Sequence, residues 1–298
     1  MTVRTFRFGV GLGSVGGRAE WTAKCQQAER LGFDVLQVPD HLGALAPLPA
    51  VVAAAEATQR CRVGTLVLNT GFYRPALLAR DVVTTAELLD GRLELGLGSG
   101  HMKSEFDEAG LPWHPPDQRI DQLEQAIAEI GRRRDAVSSP APAHAPGLSL
   151  LIGGNSDRVL RLAAKHADVV GFAGLVHARG HPPGTFRLLD AEAMDERVAY
   201  FVQHAAHRAG GVEAQMLIQK VAVTNDPRGE VERWKQQLPQ VELGVDELLQ
   251  APQLLVGSTD DIIAQVREQR ERYGFSYFTV FENAMDAFAP VVEALTGR

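Results

Sequence analysis

The sequence predicts an α/β protein, a (β/α)8 TIM barrel with loop insertions. Short apolar runs alternate eight times with longer segments, most of them of helical period. The chain has 298 residues, which suits such barrels because they typically need roughly 250. An open doubly wound sheet usually has fewer strands, and the glycines of GVGLGSVGG (9–17) lack the G-x-G-x-x-G spacing of a dinucleotide-binding turn. We expect residues 1–298 to form a single domain.

The first half of the chain gives four strand-helix units. In the first helix, Trp21, Cys25 and Ala28 recur at helical spacing. The third helix begins at Pro75, a residue favoured in the first helical turn because its missing N–H would have no partner there. The strands are predicted at 6–13, 35–41, 62–69 and 92–100, and the helices that follow them at 18–33, 48–58, 75–89 and 118–134.

The second half repeats this alternation after a Pro/Ala/Ser-rich stretch at 135–147. We interpret that stretch as a surface loop, because a strand follows it directly. Residues 175–184 are predicted to form a second loop, and 229–273 is predicted to be largely helical. The other strands are predicted at 148–155, 168–174, 214–224 and 276–282, and the other helices at 156–167, 190–209 and 285–295.

The composition argues against several classes of partner. The net charge is −7, whereas nucleic-acid and membrane surfaces select for clusters of Lys and Arg. No apolar run approaches the ~20 residues that cross a bilayer, so we expect a cytoplasmic protein. Cys25 and Cys61 are expected to be reduced core thiols. His177 and His181 have no third ligand nearby in sequence, so we expect no metal site.

Polar residues and glycines gather where the predicted strands end, the edge at which barrels of this kind carry out chemistry. Asp40 and His41 could act as an acid-base pair, or Asp40 could cap the segment that follows. The stretch Gly98–Gly100 could let the backbone approach a ligand closely or form a packing layer of small residues. The turn Gly153–Ser156 could bind a phosphate on backbone N–H groups, or Ser156 could simply cap the next helix.

Several stretches together resemble the luciferase-like flavin monooxygenases and their deazaflavin-dependent relatives. The sequence motifs are most similar to those of the branch that uses coenzyme F420 rather than flavin mononucleotide (FMN). The resemblance therefore implies a bacterial-luciferase-like barrel that binds F420, with FMN as the alternative. The matching stretches are AERLGFDVLQVPDH (28–41), RVGTLVLN (62–69), RPALLARDVVTTAELLDGRLELGLGSGHMKSEFDEAGLP (74–112), LLIGGNSDRVLRLAAKHADVVGF (150–172) and VGSTDDIIAQVREQRERYGFSYFTVF (256–281).

The resemblance also implies which residues would hold the cofactor. The bond Leu66–Val67 matches a non-proline cis peptide that lies against the rear face of the ring in related enzymes. Glu105 would either orient the cofactor or cap a local helix. The residues expected to bind the cofactor are Leu66, Val67, Asn69, Gly98, Ser99, Gly100 and Glu105 toward the ring, and Gly153, Gly154, Asn155 and Ser156 at the phosphate.

The implied activity is hydride transfer between the deazaflavin and a small organic substrate, which requires the protein to handle one proton. An imidazole titrates near neutral pH, so His41 is expected to handle that proton with Asp40 beside it, and His101 is the rival. His101 departs from the pattern of the branch, and no aromatic residue follows Asp40 and His41, which argues against a sugar-phosphate substrate. The loops at 42–48, 102–117 and 175–190 would determine the substrate.

Three other functions remain open. An FMN-dependent monooxygenase would use O2 and receive reduced flavin from a partner reductase. A non-redox aldolase would need a lysine on a strand for a Schiff base, and Lys220 is the only one. A binding protein could keep the barrel without catalysis. We expect the enzyme to form a homodimer and to bind a small-molecule substrate.

Overall fold

Parallel strands close into a barrel in the computed structural model, which describes residues 4–13, 16–137, 148–178, 180–181, 184–208, 211–238 and 241–298. In chain order the strands are β1 (Arg7–Gly11), β2 (Val35–Val38), β3 (Arg62–Thr65), β4 (Leu68–Asn69), β5 (Leu93–Gly98), β6 (Ser149–Gly153), β7 (Val169–Phe172), β8 (Leu175–His177), β9 (Phe186–Leu188), β10 (Glu213–Leu217), β11 (Lys220–Val223), β12 (Leu254–Gly257) and β13 (Phe275–Phe281).

Eight strand positions form the ring. The order around it is β3, β2, β1, β13, β10, β7, β6 and β5, and the pairing of β3 with β5 closes the circle. The short strand β4 continues the line of β3 and pairs with β5 through Leu68 and Asn69. All these pairings are parallel, so the carboxyl ends of the strands meet at one mouth of the barrel. The predicted (β/α)8 barrel is confirmed.

The helices pack around this ring. Pro47, Pro75 and Pro227 each begin a helix, as their missing N–H allows. Within the described ranges, every helix is too short or too polar to cross a membrane. The helices are α1 (Gly17–Arg30), α2 (Pro47–Ala57), α3 (Pro75–Leu88), α4 (Lys103–Glu108), α5 (Pro116–Val137), α6 (Asp157–His166), α7 (Ala191–Ala205), α8 (Pro227–Gln237), α9 (Val245–Gln250), α10 (Thr259–Tyr273) and α11 (Met285–Leu295).

Three parts of the sequence-based assignment differ from the structure. The predicted strand 214–224 is two strands: β10 lies in the barrel, whereas β11 leaves it and pairs with β12. The predicted helical region 229–273 contains that strand β12. Residues 175–184 include β8, which forms an antiparallel hairpin with β9. Helix α5 extends to Val137, and the rest of the predicted surface loop, 138–147, lies outside the described residues.

Charged residues occupy the amino-terminal end of the barrel, opposite the mouth. Arg7 Nη2 lies 2.7 Å from Glu94 Oε2, and Arg7 Nη1 lies 2.5 Å from Glu213 Oε2. The hydroxyl of Tyr277 donates to Glu94 Oε1 over 2.9 Å. Glu94 and Tyr277 are fully buried, so the barrel contains an ion pair where a row of apolar side chains would be usual.

Candidate active site

The third strand of the barrel is interrupted at its carboxyl end. The peptide bond Leu66–Val67 between β3 and β4 is cis, as the resemblance had led us to expect. Leu66 N–H donates to the Val38 carbonyl over 3.0 Å, and Thr65 Oγ1 donates to the Gly96 carbonyl over 2.8 Å, so both neighbouring strands hold the bulge. Leu66 and Val67 remain partly exposed at the barrel mouth, where they form an apolar floor.

Glycines on the neighbouring strands make room for Val67. A Cβ added at Gly96 would lie 3.1 Å from a methyl carbon of Val67, one at Gly98 2.6 Å and one at Gly153 3.2 Å. These distances are shorter than ordinary carbon contacts, so a side chain at these positions would push Val67 out of place. The glycines therefore form a packing layer of small residues, one of the two interpretations that the sequence allowed. They fix the position of Val67 and, through it, the apolar floor.

His41 pairs with Glu105. The distance from His41 Nδ1 to Glu105 Oε1 is 2.9 Å, and Glu105 lies on α4, the short helix after β5. An ionised carboxylate only accepts hydrogen bonds, so Nδ1 carries the proton and Nε2 is left to exchange one. Glu105 orients this imidazole, a role that the sequence did not assign to it.

Asp40 supports the bulge rather than the imidazole. Its Oδ2 accepts the backbone N–H of Asn69 over 2.9 Å, and its carboxylate also bonds with the hydroxyl of Tyr73. Burial raises the pKa of Asp40, while these hydrogen bonds favour the ionised form. The expected pairing of Asp40 with His41 is corrected by this geometry, because the structure gives Asp40 two other partners and gives His41 Glu105.

His101 stands between His41 and the β8–β9 hairpin. Its ring centroid is 5.6 Å from that of His41 and 5.2 Å from that of Phe186. Although part of the residue is exposed, burial of the imidazole and then the nearby His41 lower the pKa of His101 to about 4. His101 is therefore neutral at pH 7.

The rim beside His101 depends on two residues that sequence reasoning missed. Arg119, which is buried, donates to the carbonyl oxygen of Gly100 and stacks 3.9 Å above the ring of Trp113. Gly100 adopts a φ of +73°, and a Cβ there would lie 2.3 Å from Asn69 Oδ1. Ser99 is half-buried next to it. No local motif marks Arg119, because its helix α5 has the ordinary pattern of a surface helix.

In the predicted phosphate-binding turn, Gly153–Ser156, several hydrogen-bonding groups already have partners within the protein. Gly154 N–H donates to the Gly171 carbonyl over 3.1 Å, so it is already engaged. Ser156 Oγ accepts the Val159 N–H over 3.4 Å and caps α6, which confirms the simpler of the two readings. Asn155 Nδ2 donates to the Leu175 carbonyl over 2.7 Å, and its buried Oδ1 has no partner in the described part of the chain.

The residues at the mouth fit a flat ring. Leu66 and Val67 offer an apolar face, and the imidazole of His41 lies at the same mouth. Beside this mouth, the buried Oδ1 of Asn155 is an acceptor with no donor among the described residues. Lys220 lies on β11 outside the barrel and pairs with Glu230 at 2.9 Å, so it does not serve a Schiff base at the mouth.

The comparisons with known proteins were made in sequence and in structure. A sequence model of the luciferase-like monooxygenase family matches residues 2–181. The F420-dependent glucose-6-phosphate dehydrogenase of Beutenbergia cavernae is 41% identical over 112 residues, which are 35% of this chain and 33% of that protein. The enzyme of the same name from Kribbella flavida is 29% identical over 228 residues, 69% of this chain and 65% of that protein. The chain thus spans between about a third and about two thirds of these relatives.

Solved structures resemble the whole chain. An F420-dependent secondary alcohol dehydrogenase in complex with an F420-acetone adduct has a TM-score of 0.72 and 16% identity, with 98% of this chain and 99% of that chain covered. A long-chain alkane monooxygenase has the same TM-score of 0.72 and 16% identity, with 99% and 92% covered. At these identities the likeness shows the fold. Because the family model covers more than half of the sequence, the chain belongs to the luciferase-like monooxygenase family.

Proposed function

We propose that the protein is an F420-dependent oxidoreductase that transfers a hydride between the deazaflavin and a small organic substrate. The observation that carries the proposal is the His41–Glu105 pair at the same barrel mouth as the partly exposed apolar side chains of Leu66 and Val67. The imidazole of His41 can exchange a proton, and the apolar side chains of Leu66 and Val67 can support a ring.

The protein's share of this chemistry is binding, orientation and proton transfer. When bound, the deazaflavin supplies the hydride acceptor or donor. Leu66 and Val67 would support one face of its ring, and Glu105 holds Nδ1 of His41, which leaves Nε2 for the substrate. Nε2 then takes the proton from a substrate hydroxyl or returns it to a carbonyl oxygen.

The choice of F420 over FMN rests on the relatives. Both curated relatives named above are F420-dependent dehydrogenases, and one structural neighbour binds an F420 adduct. The alternative is an FMN-dependent monooxygenase, and the alkane monooxygenase has the same TM-score as the F420-dependent alcohol dehydrogenase. The fold alone does not separate the two.

Separate titrations of the purified protein with F420 and with FMN test the cofactor. We expect F420 to bind at least tenfold more tightly, a difference of about 1.4 kcal/mol. FMN binding tenfold more tightly than F420 would overturn the proposal and favour the monooxygenase.

We also propose, from the sequence and the family, a cytoplasmic homodimer in which residues 1–298 act as one domain. Its partners are a small-molecule substrate and, for supply of reduced cofactor, a partner reductase. Light scattering on the purified protein measures the oligomeric state, and a monomeric mass would contradict the homodimer.

A further inference from the structure

A cavity of about 450 Å³ lies between the β8–β9 hairpin and α8. This volume falls within the roughly 300–1,000 Å³ of small-molecule sites. Six of its nine described lining residues have apolar side chains, and Thr185 and Gln219 are the polar side chains among them. The apolar lining comes from Leu175, Phe186, Leu188, Trp234, Leu238 and Val241.

The cavity shares a wall with the candidate active site. Phe186 lines the cavity, and its ring centroid is 5.2 Å from that of His101. Gly184 also lines it, and a Cβ at Gly184 would lie 3.9 Å from the carbonyl oxygen of His101. A substrate held at the barrel mouth could therefore extend past His101 into this space.

The fold supports the cavity walls from behind. Leu188 pairs with Leu175 across the hairpin and packs into a small core with Val231 and Val241. On α8, Val231 and Trp234 fall at i and i+3, which places them on one face of the helix, and Leu238 follows directly after the helix ends. The apolar lining is thus set by two elements that are packed together.

The cavity chemistry does not suit an anion. None of the described lining residues is charged, and a buried phosphate needs cationic or N–H partners. Two lysines of this region are engaged elsewhere: Lys220 pairs with Glu230 at 2.9 Å, and Lys235 Nζ donates to the Leu243 carbonyl over 2.5 Å. A sugar phosphate, or the phosphate end of the cofactor, would be poorly matched here.

We infer that this cavity holds the apolar part of an uncharged alcohol or ketone, and that sugar phosphates are not substrates. The inference rests on the proposed function for its chemistry, because the alcohol or carbonyl group would face His41. The substrate class therefore differs from that in the names of the curated relatives.

Ligand binding to the wild-type protein without cofactor is the first test. Trp234 lines the cavity, so its emission reports occupancy, and Trp234→Phe provides the blank for Trp21 and Trp113. The probes are cyclohexanol, 2-octanol, 1-phenylethanol and glucose 6-phosphate. We expect a saturable change with at least one alcohol and none with glucose 6-phosphate at a tenfold higher concentration. Saturation by glucose 6-phosphate, or by none of the alcohols, overturns the inference.

A charge placed in the cavity is the second test. Leu238→Lys should weaken binding of the best alcohol at least tenfold while the Kd for F420 changes less than twofold. Leu88→Lys is the matched control, because Leu88 is 64% exposed on α3. If circular dichroism shows that Leu238→Lys does not fold, Thr185→Lys replaces it. Unchanged alcohol binding, or a tenfold change in the Kd for F420, contradicts the inference.

These measurements separate the inference from the proposed function. Failure of the wild-type protein to bind F420 would overturn the function, whereas the Trp234 signal requires no cofactor. With F420 bound, steady-state rates should give a KM for the alcohol at least tenfold below that for glucose 6-phosphate. The opposite order would overturn the substrate class and leave the F420 function intact.

Discussion

At the scale of single residues, two imidazoles compete for the proton. Glu105 fixes the proton on Nδ1 of His41 and leaves Nε2 for the substrate. Burial and the neighbouring His41 lower the pKa of His101 to about 4, so the His101 imidazole is neutral at pH 7 and is a weak base. These properties favour His41 as the catalytic residue.

We expect His41→Ala to lower kcat by about 100-fold or more, the usual loss when a positioned acid-base group is removed. The Kd for the cofactor should change little. His101→Ala, measured in the same way, should lower kcat only a few-fold. A large loss of kcat in His101→Ala with a mainly weakened cofactor affinity in His41→Ala would reverse the assignment.

The lowered pKa of His101 also predicts a dependence of stability on pH. The folded state prefers the neutral ring, so this preference is fully present above the unfolded pKa of about 6.5. It is lost as the pH falls from there toward the folded value of about 4. His101→Asn should therefore gain in Tm relative to the wild type between pH 6.5 and 4, with a constant difference above pH 7. The control is His207→Asn, because His207 lies between α7 and β10, away from the barrel mouth, and an equal gain in both variants would refute the assignment to His101.

The sequence located most of these residues but did not pair them correctly. Carboxyl ends of parallel strands share one edge, so Asp40, His41 and the Gly98–Gly100 stretch could be placed together. Adjacency of Asp40 and His41 was misleading, because the two side chains take different partners: Asp40 accepts the Asn69 N–H, whereas His41 pairs with Glu105. Glu105 is 64 residues from His41, and only the path of the chain into α4 brings them together.

At the scale of elements, the ring floor depends on strand β5. Gly98 is buried, and its missing side chain leaves space for Val67. The Gly-rich end of β5 thus controls how the bulge of the neighbouring strand lies. This dependence could not be found in the sequence, because it requires the register between β4 and β5.

Gly98→Ala should displace Val67, since the new Cβ would lie 2.6 Å from a Val67 methyl carbon. We expect F420 to bind at least tenfold more weakly, with an overpacking cost of about 1–3 kcal/mol in stability. Gly131→Ala on α5 is the control, because its Cβ would have no neighbour within 4 Å. Equal cofactor affinity in the two variants would show that Val67 does not support the ring.

The misassigned elements have a common cause. Residues 214–224 form one apolar run, yet the chain turns between Leu217 and Lys220, where Gln219 N–H donates to the Gln253 carbonyl over 2.8 Å. The partner strand β12 has four residues, a length at which an apolar run does not distinguish strand from helix. The break between β10 and β11 and the strand conformation of β12 both depend on contacts between residues distant in sequence.

At the scale of the whole molecule, the two ends of the barrel have different tasks. The mouth carries His41, Glu105 and the cis bond, whereas the opposite end carries the half-buried Arg7, which pairs with the buried Glu94 and Glu213. Bulk composition could not reveal this network, because its members lie on three strands far apart in sequence. In barrels of this type, the amino-terminal end of the strands contributes to stability and the carboxyl end to catalysis.

Arg7→Met should separate the two tasks. The side chain of Glu94 has no exposed surface, and Arg7 lies 2.7 Å from it, so the substitution removes the nearest positive charge from a buried carboxylate. Breaking a buried ion pair in this way costs about 3–5 kcal/mol, and we expect the lower end of that range because Arg62 Nε lies 3.9 Å from Glu94 and can compensate in part.

Chemical denaturation of Arg7→Met measures this loss of stability, and titration with F420 measures cofactor affinity at the barrel mouth. The Kd for F420 should stay within twofold of the wild-type value, because Arg7 contacts the opposite end of the barrel. The control is Arg132→Met, which removes an exposed pair with Glu129 on α5 and should leave the denaturation midpoint unchanged. A tenfold weaker affinity for F420 in folded Arg7→Met would mean that the ion network at the base also sets the geometry of the mouth.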